Sequence, residues 1–291
     1  MLVVLSACKG RAPEAEPEAE PFVPSEPADL EGVPLAATVN GQPITLQAYE
    51  RELARHKAGT AALGWEPASD GTLEAQVLDL LIEYELIRQE AQRQGIVITA
   101  DQIEAEVNAT IEASGGQQDF EAWLAANQWT MEEYRQQVLL DLTTNALKGP
   151  VLAAVPNVAE QVHARHILVD TEEQAQSLLQ EINNGGDFSQ LAADFSRDAT
   201  TRYNGGDLNW FPRGVLLVRE VEEIAFSLEP GQTSDVIASA QGYHVMQVLE
   251  RDPERNIEPE LMPHLWERAL EEWRLSLWEG AEVERFVESS P

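Results

Sequence analysis

Val162-His163-Ala164-Arg165-His166-Ile167-Leu168-Val169 opens the stretch that decides the fold. Asn204-Gly205-Gly206-Asp207-Leu208-Asn209-Trp210-Phe211 stands at its middle, and Gln241-Gly242-Tyr243-His244-Val245-Met246-Gln247-Val248 closes it. The run from Ala164 to Val169 is apolar and β-branched, which predicts a buried strand. Thr171 with Gln174 three residues on predicts a capped helix to Ile182, and Asn183-Asn184-Gly185-Gly186 stops it. Asp187 caps a second helix over 188–195. A loop over 196–206 and an extended segment over 207–211 follow. Next come a helix over 221–227, ended by Glu229-Pro230-Gly231, and two strands over 236–238 and 243–250. Residues 160–251 therefore read as one α+β unit of ordinary domain size.

Upstream the texture is helical. Ala37 to Ile44 predicts a hairpin, because Asn40-Gly41 tolerates the positive φ of a type I′ turn. Thr45 caps a helix to about His56. A longer one over 72–94 carries Leu73, Val77, Leu80, Leu81, Tyr84, Ile87 and Ala91 at three- and four-residue spacing, and Gly95 ends it. Capping boxes at Thr99–Gln102 and Thr130–Glu133 start two more, the first through Ile111, the second ending at Lys148-Gly149-Pro150. A short helix over 120–127 lies between them. Residues 35–155 thus make a mainly α-helical domain. Downstream, within 258–288, a helix from Leu261 to Phe286 carries Leu265, Leu270, Trp273, Leu277 and Val283 on one side and needs a partner for that face.

Residues 9–34 are Pro/Glu/Ala low complexity and cannot bury enough apolar surface to offset ordering entropy, so they read as an extended linker. Met1 to Cys8 is an apolar run ending in small residues and the single cysteine of the chain, which excludes an intrachain disulfide. Leu5-Ser6-Ala7-Cys8 resembles the bacterial lipobox, which implies a partial signal over 1–8, lipidation of Cys8 and an extracytoplasmic protein anchored to the membrane. The basic start of a secretory signal is missing, and an incidental cysteine in a disordered segment is the other reading. The formal charge of −32, from 51 acidic and 19 basic residues, argues against nucleic acid and against an electrostatic grip on anionic lipid. It fits solubility, or attraction to basic unfolded clients.

The Val39-Asn40-Gly41-x-Pro43-Ile44-Thr45 entry and the long helix after it resemble the N-terminal chaperone domain of the SurA and PrsA foldases. The central unit is similar to parvulin-type peptidyl-prolyl isomerases at several places, in order. These are Arg165 to Val169, Asp187-Phe188-x-x-Leu191-Ala192, Ser196-x-Asp198, Gly205-Gly206-Asp207-Leu208, Trp210-Phe211, Ala225-Phe226-x-Leu228-x-Pro230-Gly231 and Gly242-Tyr243-His244. The resemblance implies an α+β parvulin domain inserted in a mainly α-helical SurA/PrsA-like chaperone domain, with the C-terminal helix packing back on the latter. It implies His166, Asp198 and His244 as the catalytic cluster. Leu216 or Leu217, Val221 and Phe226 would line the proline pocket, with Ser239 and Gln241 as polar neighbours. A structural His-His-Asp cluster supporting a groove is the alternative.

Rotation about an X-Pro amide meets a barrier of roughly 20 kcal/mol set by resonance, and a catalyst need only favour the twisted amide. No cofactor or metal is expected. His163 and His166 are three apart on a strand and point to opposite faces, and no phosphate-cradling, dinucleotide or Gly-x-Ser-x-Gly motif is present. Three departures from the parvulin pattern stand out: Val221 where a Phe is usual with one extra residue before it, Asn209 where Gly is usual, and Thr200-Thr201 in the loop. The expected function is isomerase and chaperone for exported, non-native polypeptides containing X-Pro bonds. The alternatives are a parvulin-fold chaperone of weak or no activity that only holds clients, and a lipoprotein with one dedicated partner.

Overall fold

The computed structural model describes residues 32–62 and 72–287. The expectations for the signal, for most of the linker and for Cys8 lie outside them, as does position 288. The chain divides into two compact units. Among the described residues, one comprises those up to Leu147 together with 277–287, and the other comprises Lys148–Ser276.

In the first unit, β1 (Leu35–Val39) and β2 (Gln42–Thr45) form the expected hairpin, with Asn40 at φ 51° and Gly41 at φ 78°. Helices α1 (Leu46–Ala62), α2 (Thr72–Gln94), α3 (Ala100–Ala113) and α4 (Gln117–Ala126) follow, then α5 (Met131–Ala153). The capping chemistry read from the sequence is in place. Thr45 Oγ1 accepts from the Ala48 amide, and the Thr99–Gln102 and Thr130–Glu133 boxes are both closed. Ala36, Ala37, Val39 and Ile44 pack against Val77, Leu78, Ile82 and Leu86 of α2. At roughly 1.5–3 kcal/mol per fully buried large aliphatic side chain, this packing rather than helix propensity holds α2. The other side of α2 is apolar too: Leu81 and Tyr84 line a groove of about 480 Å³ with Ile44, Ile98, Leu139 and Leu140.

Three expectations are corrected here. α5 does not stop at Lys148-Gly149-Pro150 but runs through Pro150 to Ala153. Proline forfeits one bond to the carbonyl four residues back, yet its fixed φ suits a helix, and Pro150 O still accepts from the Ala154 amide at 3.0 Å. The C-terminal helix α9 (Met262–Glu279) ends seven residues before Phe286. A strand, β7 (Val283–Arg285), then pairs antiparallel with β1 to complete a β2-β1-β7 sheet. Nor does α9 belong wholly to the helical unit. Its first turns bury Met262 and Leu265 against Ile257, Val155, Ala159 and Val215, all of the second unit. Only Leu277, Trp278 and the residues after them join the first core. An amphipathic face in a sequence shows that a partner is needed, not which one.

The second unit is built on a four-stranded antiparallel sheet of order β4-β3-β6-β5, from β3 (Val158–Val169), β4 (Asp207–Pro212), β5 (Ile237–Ser239) and β6 (Gly242–Asn256). Both central strands are longer than expected, because Pro253 does not end β6. A register shift in the pairing lies between Ala159 and Gln161, opposite Asp252 and Arg255, and a proline that cannot donate is tolerated at such a bulge. The buried Gln161 amide donates to Arg255 O and Asn256 O there. Period-two alternation gives the sheet two apolar faces. Ile167, Val169 and Val245 meet α6 (Glu172–Asn183) and α7 (Phe188–Phe195) on one. Ala164, Met246 and Val248 meet α8 (Arg219–Ser227) on the other.

Candidate active site

The two histidines meet because of strand register. In the β3–β6 ladder His166 lies opposite Met246 and Leu168 opposite His244. Residues two apart on a strand share a face, so His166 and His244 are diagonal neighbours on the α8 side of the sheet. Asp198 arrives from the other edge. β4 covers β3 only as far as Arg165. Beyond it, residues 196–206 take over the vacant ladder positions: Gly206 O accepts from the His166 amide at 2.9 Å, and the Arg197 amide donates to Leu168 O at 2.7 Å. Ser196 Oγ, buried, accepts from the Leu168 amide at 3.2 Å. These bonds deliver Asp198 to His166. Gly206 has φ +78°, and a Cβ there would sit 2.2 Å from His166 O, so only glycine allows this approach.

The result is a continuous polar line. Asp198 Oδ2 is 2.8 Å from His166 Nε2, His166 Nδ1 is 3.5 Å from His244 Nδ1, and His244 Nε2 is 2.8 Å from Ser239 Oγ. The imidazoles are near-stacked, with centroids 5.6 Å apart and an interplanar angle of 25°. A carboxylate only accepts, so His166 Nε2 carries the proton facing Asp198. That leaves His166 Nδ1 facing His244 Nδ1, while the Ser239 hydroxyl, with one proton, lies 3.1 Å from Gly242 O as well as 2.8 Å from His244 Nε2. Burial alone would raise the Asp198 carboxyl. Hydrogen bonds from Thr200 Oγ1 and its amide, from Thr201 Oγ1 and from His166 outweigh it and hold Asp198 well below the usual carboxylate range. The Thr200-Thr201 departure is thus the support of the aspartate. Burial, and next the neighbouring His166, push His244 down to about 4, so His244 stays neutral near pH 7.

Beside this line is an apolar cleft of about 250 Å³. His166, Asp198, His244, Leu216, Leu217, Val221 and Gln241 border it, as expected. Leu168, Leu208, Val215 and Val218 border it as well, and sequence reading did not assign them. Leu216 packs into the core beneath, whereas Leu217 is 94% exposed at the rim. Val221 is buried in the wall. Phe226 is not part of the cleft: it packs edge-on against Phe211 at 6.0 Å and beneath the Arg213 guanidinium. Ser239 acts on the cleft only through His244. Asn209, at φ 57°, takes the left-handed conformation in place of glycine and donates its amide to Asp207 Oδ1 at 2.7 Å. His163 lies on the opposite sheet face with Asp207 and Trp210 and takes no part.

An antiparallel sheet that juxtaposes two imidazoles and a carboxylate beside a proline-sized cleft defines a parvulin-type peptidyl-prolyl isomerase unit. The family model for the PPIC-type PPIase domain matches residues 152–252, and that for the SurA-like N-terminal domain matches 24–148. The foldase protein PrsA of Caldanaerobacter subterraneus subsp. tengcongensis is 30% identical over 234 residues, covering 73% of this chain and 72% of that protein. The PrsA of Geobacillus kaustophilus is 33% identical over 167 residues, 55% of this chain and 58% of its own length. A crystal structure of the PrsA peptidylprolyl isomerase from Bacillus anthracis aligns over 69% of this chain and 94% of its own, at 23% identity and a TM-score of 0.48. The chain belongs to the PrsA foldase family.

Proposed function

We propose that this protein is an extracytoplasmic foldase whose second unit isomerises X-Pro bonds in non-native exported polypeptides while its first unit holds them. The observation that carries the reading is the Asp198–His166–His244–Ser239 line along one wall of an apolar cleft of about 250 Å³. The proline ring would enter between Leu216, Val221 and Leu208, shedding water. The carbonyl before it would face the imidazoles. A twisted amide loses resonance, and fixed dipoles beside it favour that state over either planar form without any covalent step. The Asp198 charge holds the tautomers that make those dipoles uniform.

The holding surface in this reading is the groove of the first unit, whose walls include Ile44, Leu81, Tyr84, Ile98 and Leu140. The net charge of −32 would draw basic, unfolded segments to it. Among the described residues no helix is long and apolar enough to cross a membrane, and attachment in this proposal is a diacylglyceryl group on Cys8. The alternative, a holder without turnover, rests on Val221 in place of a Phe; against it, Val221 is buried and borders the cleft beside the polar line. Exchange NMR on an Xaa-Pro peptide tests the enzymatic reading. Catalytic amounts should speed cis/trans exchange well above the uncatalysed rate, and an unchanged rate overturns it. Intact-mass analysis of membrane-extracted protein tests the anchor: an unmodified Cys8 in an intact chain contradicts it.

A further inference from the structure

The loop that forms one wall of the cleft, residues 213–218, is held from behind by a buried carboxylate. Glu222 is a charged residue on α8 with only 4% of its surface exposed. Its Oε2 accepts from the Gly214 amide at 2.8 Å and the Leu216 amide at 3.2 Å. Its Oε1 lies 3.4 Å from Arg268 Nη1 on α9. Burying a carboxylate is costly unless donors replace its water, and here two backbone amides and a guanidinium do so. The arrangement defines the loop: Gly214 and Leu216 can bond to one oxygen only if the chain between them curls around it.

α9 closes the same loop from outside. Gly214 has φ +97°, and a Cβ there would lie 3.1 Å from Arg268 Cδ and 3.2 Å from Leu265 Cδ2. Val215 packs both on the α9 cluster and on the core under the cleft. Beyond it, Leu216, Leu217 and Val218 border the cleft. The isomerase family model ends at residue 252, ten residues before α9 begins.

Resting on the isomerase reading above, we propose that Glu222 and Arg268 are positioning residues for the proline-binding wall. Through them the C-terminal helix sets how well the cleft accepts a prolyl segment. Neither residue is among those bordering the cleft or the polar line. Losing the support therefore loosens binding in ground and transition state alike, which raises KM and leaves kcat in place.

The test uses the full chain with Arg268→Met, Arg268→Lys and Glu222→Gln, each checked for an unchanged melting profile. Arg268 is on the surface side of the pair, so its variant keeps the experiment valid should Glu222→Gln unfold. kcat and KM are measured on an Xaa-Pro peptide, and the Kd of the same peptide by calorimetric titration. Arg268→Met should raise KM and Kd about three- to tenfold with kcat within twofold. Glu222→Gln should do the same or more, and Arg268→Lys should recover most of the loss. KM and Kd within twofold of wild type in a folded Arg268→Met overturn the proposal, as does a fall in kcat at constant KM. Were the wild type to lack turnover, the isomerase reading would fail on that count, and the Kd series would still decide the role of Glu222 and Arg268.

Discussion

His166 and His244 are diagonal neighbours on adjacent strands, their Nδ1 atoms 3.5 Å apart, so one proton at most lies between them. That relationship orders the whole polar line. Asp198 accepts from His166 Nε2, which turns His166 Nδ1 toward His244, and Ser239 Oγ stands at the far end between His244 Nε2 and Gly242 O. The chemistry of the cleft is therefore set from an aspartate at its margin.

The same pair predicts acid sensitivity. His244 is pushed down to about 4 by burial, then by His166, while in the unfolded chain it titrates near 6.5. Above 6.5 both states hold it neutral and it contributes no pH dependence. Between 6.5 and 4 the unfolded chain takes a proton that the folded chain refuses, so stability falls with pH, by about 2 kcal/mol between pH 7 and 5. The depressed Asp198 carboxyl adds a loss only at lower pH, once the unfolded carboxylate begins to protonate. Urea unfolding followed at β3 and β6 amide resonances should show the first loss in wild type. His244→Gln should remove it. A wild type equally stable at both values contradicts the assignment.

Gly206→Ala should disconnect Asp198 from His166. The added Cβ would meet His166 O at 2.2 Å, and the φ of +78° is one that side chains rarely adopt. The strained backbone alone costs on the order of 1–3 kcal/mol, and relieving the contact moves residues 196–206 off the edge of β3. The expected result is a melting temperature lower by several degrees and loss of the downfield imidazole N–H resonance of His166. Retention of both would show that the loop does not depend on this approach.

Leu216 and Leu217 separate wall from rim. Leu216 is half-buried, and Leu216→Ala removes core packing and cleft surface together, so it should cost roughly 1–3 kcal/mol of stability and weaken peptide binding. Leu217 is 94% exposed, so Leu217→Ser should change stability by less than about 0.5 kcal/mol. Its effect should appear only in the affinity for prolyl peptides, read by calorimetric titration beside a urea melt. Equal stability losses in the two variants would refute the assignment.

The order of elements in the second unit was legible because each carries its own local signal: β-branched runs, capping residues and glycine stops. The two histidines were legible through the resemblance to parvulins, and the β3–β6 register supplies the physical reason, since it puts both on one sheet face. What escaped depends on the folded geometry of a loop, a bulge or a helix end, whether its partners are near in sequence or far. Pro253 and Pro150 read as breaks, but a bulge opposite Gln161 and the last turn of α5 accommodate them. Thr200 and Thr201 read as departures from a pattern, yet they are the donors that keep Asp198 ionised. Phe226 read as pocket lining from the resemblance to parvulins, while its ring turns to Phe211. Glu222 gave no signal at all: one acid among 51 is conspicuous only when found buried.

The central claim is that the polar line beside the cleft performs catalysis rather than merely supporting a binding groove. Protease-coupled turnover of an Xaa-Pro peptide by wild type and Asp198→Ala tests it most directly. With peptide affinity within threefold and the fold intact, Asp198→Ala should lower kcat by on the order of 100-fold, the lower end of the loss seen when a pre-oriented electrostatic group is removed. Equal kcat in the two proteins, or a wild type no faster than the uncatalysed reaction, would contradict it.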